Sequence, residues 1–287
     1  MRHPAVAGAF YEGTRDALIR QVERCYTHPL GPGRLPKAAA RKGRLVGLVV
    51  PHAGYMYSGP VAAHSYAALA QDGLPRSYVV FGPNHTGSGA PLAVTKQDFE
   101  TPIGVVRNDP ELYAALAKPP LEDDPIAHRH EHSIEVQLPF LQNLAGEVSF
   151  VPLCMGFQEY DLAAEVGEVA AAAVEGRDVL LVASSDFTHV GPQYGNRPAR
   201  GMTAPEYARD QDSKALERIL DLDPEGLADR IARYDITMCG YGPVMAVLTA
   251  AKRLGGTQAR LLKYATSSDV SDDPTMAVGY AAVAIYR

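Results

Sequence analysis

The chain has 287 residues, with 27 basic and 33 acidic side chains giving a formal charge of −6, and 46% of its residues are hydrophobic. That acidic balance, with no Lys/Arg cluster, argues against nucleic acid as a partner, and no run approaches the roughly 18 apolar residues of a bilayer-crossing helix. Three widely separated cysteines, Cys25, Cys154 and Cys239, argue against a disulfide framework. The opening Met1-Arg2-His3-Pro4 lacks the apolar core of a signal peptide, so a cytoplasmic protein away from membranes is expected. The length fits one α/β domain spanning residues 1–287.

In chain order, residues 28–43 are rich in Pro, Gly and basic side chains and read as an exposed connection. Residues 44–50 are apolar on both faces and too short for a helix, which is the pattern of a strand buried on both sides. A helical pattern over 59–70 follows, then a second buried run at 78–81. Residues 91–106, with Pro91, Pro102 and Gly104 among short apolar pieces, read as a hairpin at a sheet edge. Helices are expected at 108–117 and 133–144, the second kinked or divided by Pro139. A run at 148–153, a helix at 161–175 and a run at 179–183 continue the alternation. Helices at 204–220, 224–233 and 241–254 come next, the first opened by a Thr203/Glu206 capping box. Two more runs, 260–264 and 277–286, end the chain. The alternation implies a mainly parallel central sheet with helices on both faces.

Ligands of such sheets bind beyond the C-terminal ends of the strands. Residues 44–50 are followed by Pro51-His52-Ala53-Gly54-Tyr55, 78–81 by Gly82-Pro83-Asn84-His85, and 179–183 by Ser184-Ser185-Asp186-Phe187-Thr188-His189. One such histidine alone reads as a side chain packed under a loop. Three at corresponding strand ends point to converging imidazole donors, the commonest nitrogen ligands of Zn, Fe and Cu. A further cluster, His128-Arg129-His130-Glu131-His132-Ser133, stands at the entrance to the helix expected from 133. It is either a solvated, charged helix start or part of a site, in which case Glu131 and His132 are its candidates. Cys239 precedes the apolar pattern Val244, Val247, Leu248. There, a helix dipole lowers a thiol pKa, against the alternative of an inert buried thiol. Cys25 and Cys154 read as packing residues.

These stretches, with Pro4-Ala5-Val6-Ala7-Gly8-Ala9-Phe10-Tyr11 at the start and Glu131-His132-Ser133-Ile134-Glu135 and Met238-Cys239-Gly240 later, resemble the motifs of the Memo family in order, over nearly the whole chain. The resemblance implies a fold similar to the class III extradiol dioxygenases, which are non-haem iron enzymes. It also implies that His52, His85 and Cys239 are the metal ligands, with His189 at the dioxygenases' acid/base position. The thiolate departs from their two-His-one-carboxylate set and favours copper, zinc or thiolate-bound iron. Family members are described as phosphotyrosine-peptide adaptors and as copper- or iron-handling redox proteins, and bacterial and archaeal ones occur with a radical-SAM protein. Three classes of function stay open, the first two being an Fe(II)- or Cu-dependent oxidoreductase acting on a small molecule and an adaptor capturing a peptide or anion in the same pocket. Zinc-dependent hydrolysis is the third. In the catalytic reading His189, Asp186, His132 and Glu131 do the proton chemistry. Asp186 is expected to accept an imidazole N–H from His189; alternatively it caps the following segment and His189 faces solvent.

Overall fold

In the computed structural model, which describes residues 1–287, the apolar runs are strands of one sheet. The strands are β1 Leu45–Val50, β2 Ser77–Pro83, β3 Leu92–Val94, β4 Phe99–Thr101, β5 Gly104–Asn108, β6 Glu122–Asp123, β7 Ser149–Met155, β8 Val179–Ser184, β9 His189–Val190, β10 Gln258–Thr266 and β11 Ala277–Tyr286. The helices are α1 Arg15–Thr27, α2 Gly59–Asp72, α3 Pro110–Leu116, α4 Ile126–Arg129, α5 Leu138–Ala145, α6 Tyr160–Val174, α7 Ala204–Leu220, α8 Pro224–Tyr234, α9 Tyr241–Arg253 and α10 Ser268–Ser271. The sheet runs β10-β11-β1-β8-β2-β7-β3-β6. Its centre, β1-β8-β2-β7, is parallel throughout, whereas β11 lies antiparallel to β1 and β10, and β3 antiparallel to β7.

Alternation along the central strands divides the core between the two faces of this sheet. Val79, Phe81, Leu181 and Ala183 point into a cluster with residues of α3, α6, α7, α8 and α9. Their neighbours Tyr78, Val80, Leu180 and Val182 point the other way, into a cluster with α1, α2 and α5. Every residue of β1 and β2 is buried, as the unbroken apolar runs require of strands covered on both sides. No helix is long and apolar enough to cross a membrane.

Three local features refine the sequence reading. Residues 91–106 are not one hairpin: β3 adds to β7, and only β4 and β5 pair as a hairpin, with Pro102 in the two-residue turn where no ladder N–H is needed. The helix expected over 133–144 begins as a 3₁₀ turn at Glu135–Gln137 and becomes α5 only from Leu138, because Pro139 is accommodated in a first turn and not in a helix interior. The helix α1, which the sequence reading does not assign, buries Leu18, Val22, Cys25 and Tyr26, spacings that put one stripe against the core. The Thr203/Glu206 capping box opens α7.

Candidate metal centre

β1, β8 and β2 are adjacent and parallel, so the three loops that follow them open at one edge of the sheet. Two of those loops carry His52 and His85, and the third leads into His189 at the start of the short β9. Cys239 is supplied by the connection between α8 and α9. One donor atom each from His52, His85 and Cys239 lies within 4.8 Å of the other two, inside the span of a single coordination sphere. His52 is buried, Cys239 half-buried, and His85 is the exposed member, so the group sits at the floor of an opening and not in a sealed core. The cleft above it holds about 560 Å³ and is lined also by His132, Asp186 and His189.

Hydrogen bonds decide which imidazole nitrogens are free. The Ser184 hydroxyl donates its only proton to the Ser133 carbonyl at 2.6 Å. Its lone pairs therefore accept from Gln137 Nε2 at 2.8 Å and from His52 Nδ1 at 2.9 Å. His52 consequently carries its proton on Nδ1, and the bare Nε2 stands 3.1 Å from Cys239 Sγ. His85 donates from Nδ1 to Glu131 Oε1 at 3.0 Å, which leaves its Nε2 bare as well. A carboxylate behind a ligating imidazole is the usual arrangement for fixing its tautomer and raising its basicity. Gly82 allows this close approach, since a Cβ there would lie 2.3 Å from Ser133 Oγ.

The electrostatics follow from this packing. Burial, reinforced by the neighbouring His132, His85 and His189, holds His52 well below the ordinary histidine pKa, so it is a neutral donor. Burial also works to lower His85, but the hydrogen bond and charge of Glu131 outweigh it and raise the pKa. Glu131 has the reverse balance. Burial alone would raise it, yet His85, His132 and the Ser133 N–H hold it down at about 2. Glu131 is 2% exposed and accepts from the backbone of His132 and Ser133. The solvated helix start is therefore ruled out for it, while His130 on the same segment is exposed and His128 is buried away from the cleft beside Phe99. His132 stacks on His85 at 4.7 Å between ring centroids and meets Phe10 edge-on at 4.8 Å.

One expectation is corrected, and of the two readings left open for Cys239 the lowered thiol is disfavoured. Cys239 lies before Gly240, the N-cap of α9, and burial followed by the nearby Asp186 charge pushes it well above the ordinary thiol pKa. Asp186 does not receive the His189 imidazole N–H. His189 Nδ1 donates to the Thr237 carbonyl at 3.1 Å, while Asp186 Oδ1 accepts the His52 backbone N–H at 2.7 Å. The turn after β8 points the carboxylate back towards β1, and its pKa is raised mainly by burial. Both residues nevertheless line the cleft. Ser184, Gln137 and Thr237 complete the arrangement, and nothing in sequence spacing marks them.

The donor set suits a metal: two imidazoles, each oriented by a partner on Nδ1, and one thiol, with the cleft side open. A Memo-like protein family model matches residues 2–284. A MEMO1 family protein of Methanopyrus kandleri is 44% identical over 100% of this chain and 99% of its own length. Another, from Ignicoccus hospitalis, is 46% identical over 99% of this chain and 98% of its own. In fold, the chain is similar to an uncharacterized protein of Escherichia coli K12, with a TM-score of 0.54 at 16% identity, covering 84% of this chain and 99% of that one. On the strength of the family model and these full-length relatives, the chain belongs to the Memo family.

Proposed function

We propose that the protein is a metal-dependent oxidoreductase that uses Fe(II) or Cu, held by His52, His85 and Cys239, on a small molecule entering the cleft. The observation that carries this reading is the convergence of three oriented donors within 4.8 Å at the floor of a cleft that titratable side chains also line. A metal with three protein ligands keeps positions for substrate or O2 and supplies redox or Lewis-acid chemistry there. The thiol favours the softer or redox-active choices, and zinc remains chemically compatible.

The protein's own groups then have distinct tasks. His189 bears its proton on Nδ1, fixed by the Thr237 carbonyl, so Nε2 is the atom that takes up or returns a proton at the substrate. Asp186 holds the His52 backbone and lines the cleft together with His189. Glu131 orients His85, and His132, stacked on His85, walls the cleft.

Metal analysis of protein purified without oxygen tests the reading. Iron or copper in the wild type, its loss in Cys239→Ala, and its retention in His189→Ala are the expected results. Zinc alone would instead favour hydrolysis. Metal-free protein that binds a peptide or anion tightly, without turnover, would make the cleft an adaptor's binding site.

A further inference from the structure

Cys239 differs from the other two donors in what holds it. His52 and His85 directly follow strands, whereas Cys239 stands in the irregular connection between α8 and α9, where no regular element sets the direction of its side chain. The amide contact to Asp186 is long, Cys239 N lying 3.3 Å from its carbonyl against the 2.9–3.0 Å typical of amide bonds, and Sγ reaches the same oxygen at 3.5 Å, an ordinary separation for sulfur.

The start of α9 shows what else holds the segment: the Gly240 N–H donates to Ser185 Oγ at 3.0 Å, and a second tie comes from Gln158. Gly240, the N-cap, has no side chain to satisfy the free amides of the first turn. It cannot be larger, because a Cβ there would lie 2.4 Å from the Ser184 carbonyl and 2.7 Å from Ser185 Cβ. Pro243 removes one of those amides altogether. The Gly242 N–H is satisfied from another element: it donates to Gln158 Oε1 at 2.8 Å. The same Gln158 amide donates from Nε2 to the Cys239 carbonyl at 2.9 Å. Gln158 lies one residue before Glu159, the N-cap of α6, so its backbone is anchored in the β7–α6 connection.

We propose that Gln158 is the positioning residue of the Cys239 thiol: its amide bridges the Cys239 carbonyl and the Gly242 N–H, and fixes the rotation of the segment that aims Sγ at His52. This rests on the metal reading of the site. The other end of the segment is tied separately. The Thr237 hydroxyl donates to the His189 carbonyl at 2.8 Å and accepts from its N–H at 2.9 Å. Gln158 thus acts on the thiol, and Thr237 on His189.

Co²⁺ titration of the full chain, read by chelator competition and by the near-ultraviolet band of a cobalt thiolate, tests the assignment. The wild type is expected to show the band. Gln158→Ala and Gln158→Met are expected to bind Co²⁺ about 10- to 100-fold more weakly and with a reduced band, the scale seen when a group behind a ligand is lost. The Met variant fills the same space without polar atoms, so a merely space-filling Gln158 would leave it like the wild type and overturn the proposal. It also serves if the Ala variant fails to fold. Thr237→Val should keep the band, and equal loss there would show that the segment responds as a whole, which overturns a specific role for Gln158. Wild-type protein lacking a cobalt thiolate band would remove the metal reading and this inference with it.

Discussion

Ser184 determines which nitrogen of His52 is available, because a hydroxyl has one proton and that proton is committed to the Ser133 carbonyl. Replacing Ser184 with Ala leaves the His52 Nδ1–H without its acceptor and lets the ring turn or change tautomer. We expect Ser184→Ala to fold normally and to bind metal about 10- to 100-fold more weakly in a chelator competition. His189 is a different case, since its fixed side is bonded to Thr237 and its free Nε2 is not part of the three-donor group. His189→Ala is expected to keep its metal while turnover of an identified substrate falls by roughly 10² or more. Metal loss in that variant would make His189 a ligand.

Among the elements, the N-terminal segment depends on one buried carboxylate. Glu135, in the 3₁₀ turn before α5, accepts from the Ala5 N–H at 2.8 Å, the Val6 N–H at 3.2 Å and the Tyr11 hydroxyl, and pairs with Arg2. Arg2 in turn donates to the carbonyls of His128 and Glu131, so the segment is clasped to the stretch that carries Glu131 and His132. Both members of the ion pair are almost wholly buried, and removing one leaves the other as an uncompensated charge. Glu135→Ala should lower stability by about 3–5 kcal/mol, and the melting temperature by on the order of 10 °C. A melting temperature within about 2 °C of the wild type would show that the clasp contributes little. The exposed Thr203 cap of α7 is the contrast: Thr203→Ala removes two hydroxyl bonds, one from the Glu206 N–H and one to its carboxylate, and is expected to cost only about 1 kcal/mol in urea unfolding.

For the whole molecule, the pH dependence of stability has a traceable contribution from Asp212 on α7. This carboxyl is fully buried beneath β11, accepts from the Thr188 N–H at 2.8 Å and the Tyr264 hydroxyl at 2.6 Å, and has its pKa raised to about 6, chiefly by burial. A folded-state pKa above the unfolded value means that the native state binds the proton more tightly. The resulting stabilisation is complete below about pH 4 and is lost as pH rises through about 6, a change on the order of 3 kcal/mol. Asp212→Asn has no such proton, so its stability relative to the wild type should improve by about that amount between pH 4 and pH 7. Denaturant unfolding at the two pH values measures it, and a constant difference between the proteins would refute the assignment.

By itself the sequence determined the central strands, the order of most helices and the edge of the sheet that receives His52 and His85. These depend on local periodicity: strands buried on both faces must be apolar at every position, and a residue just beyond such a strand can only lie at the sheet's end. It also placed Thr203 as a cap and Pro139 as a divider, since both act within a turn. It missed α1, whose buried stripe of Leu18, Val22, Cys25 and Tyr26 lies among charged residues and resembles a surface segment until α2 and α5 cover it. Its view of the site stopped at the identities of His52, His85, Cys239 and their neighbours. Tertiary structure alone decided that Asp186 turns to His52 and not to His189, that burial and the Asp186 charge push the Cys239 thiol up, and that Ser184, Thr237 and Gln158 orient the side chains. The physical reason is that tautomers, thiol pKa and side-chain direction depend on partners tens of residues away, brought within hydrogen-bond distance only when the parallel strands come into register.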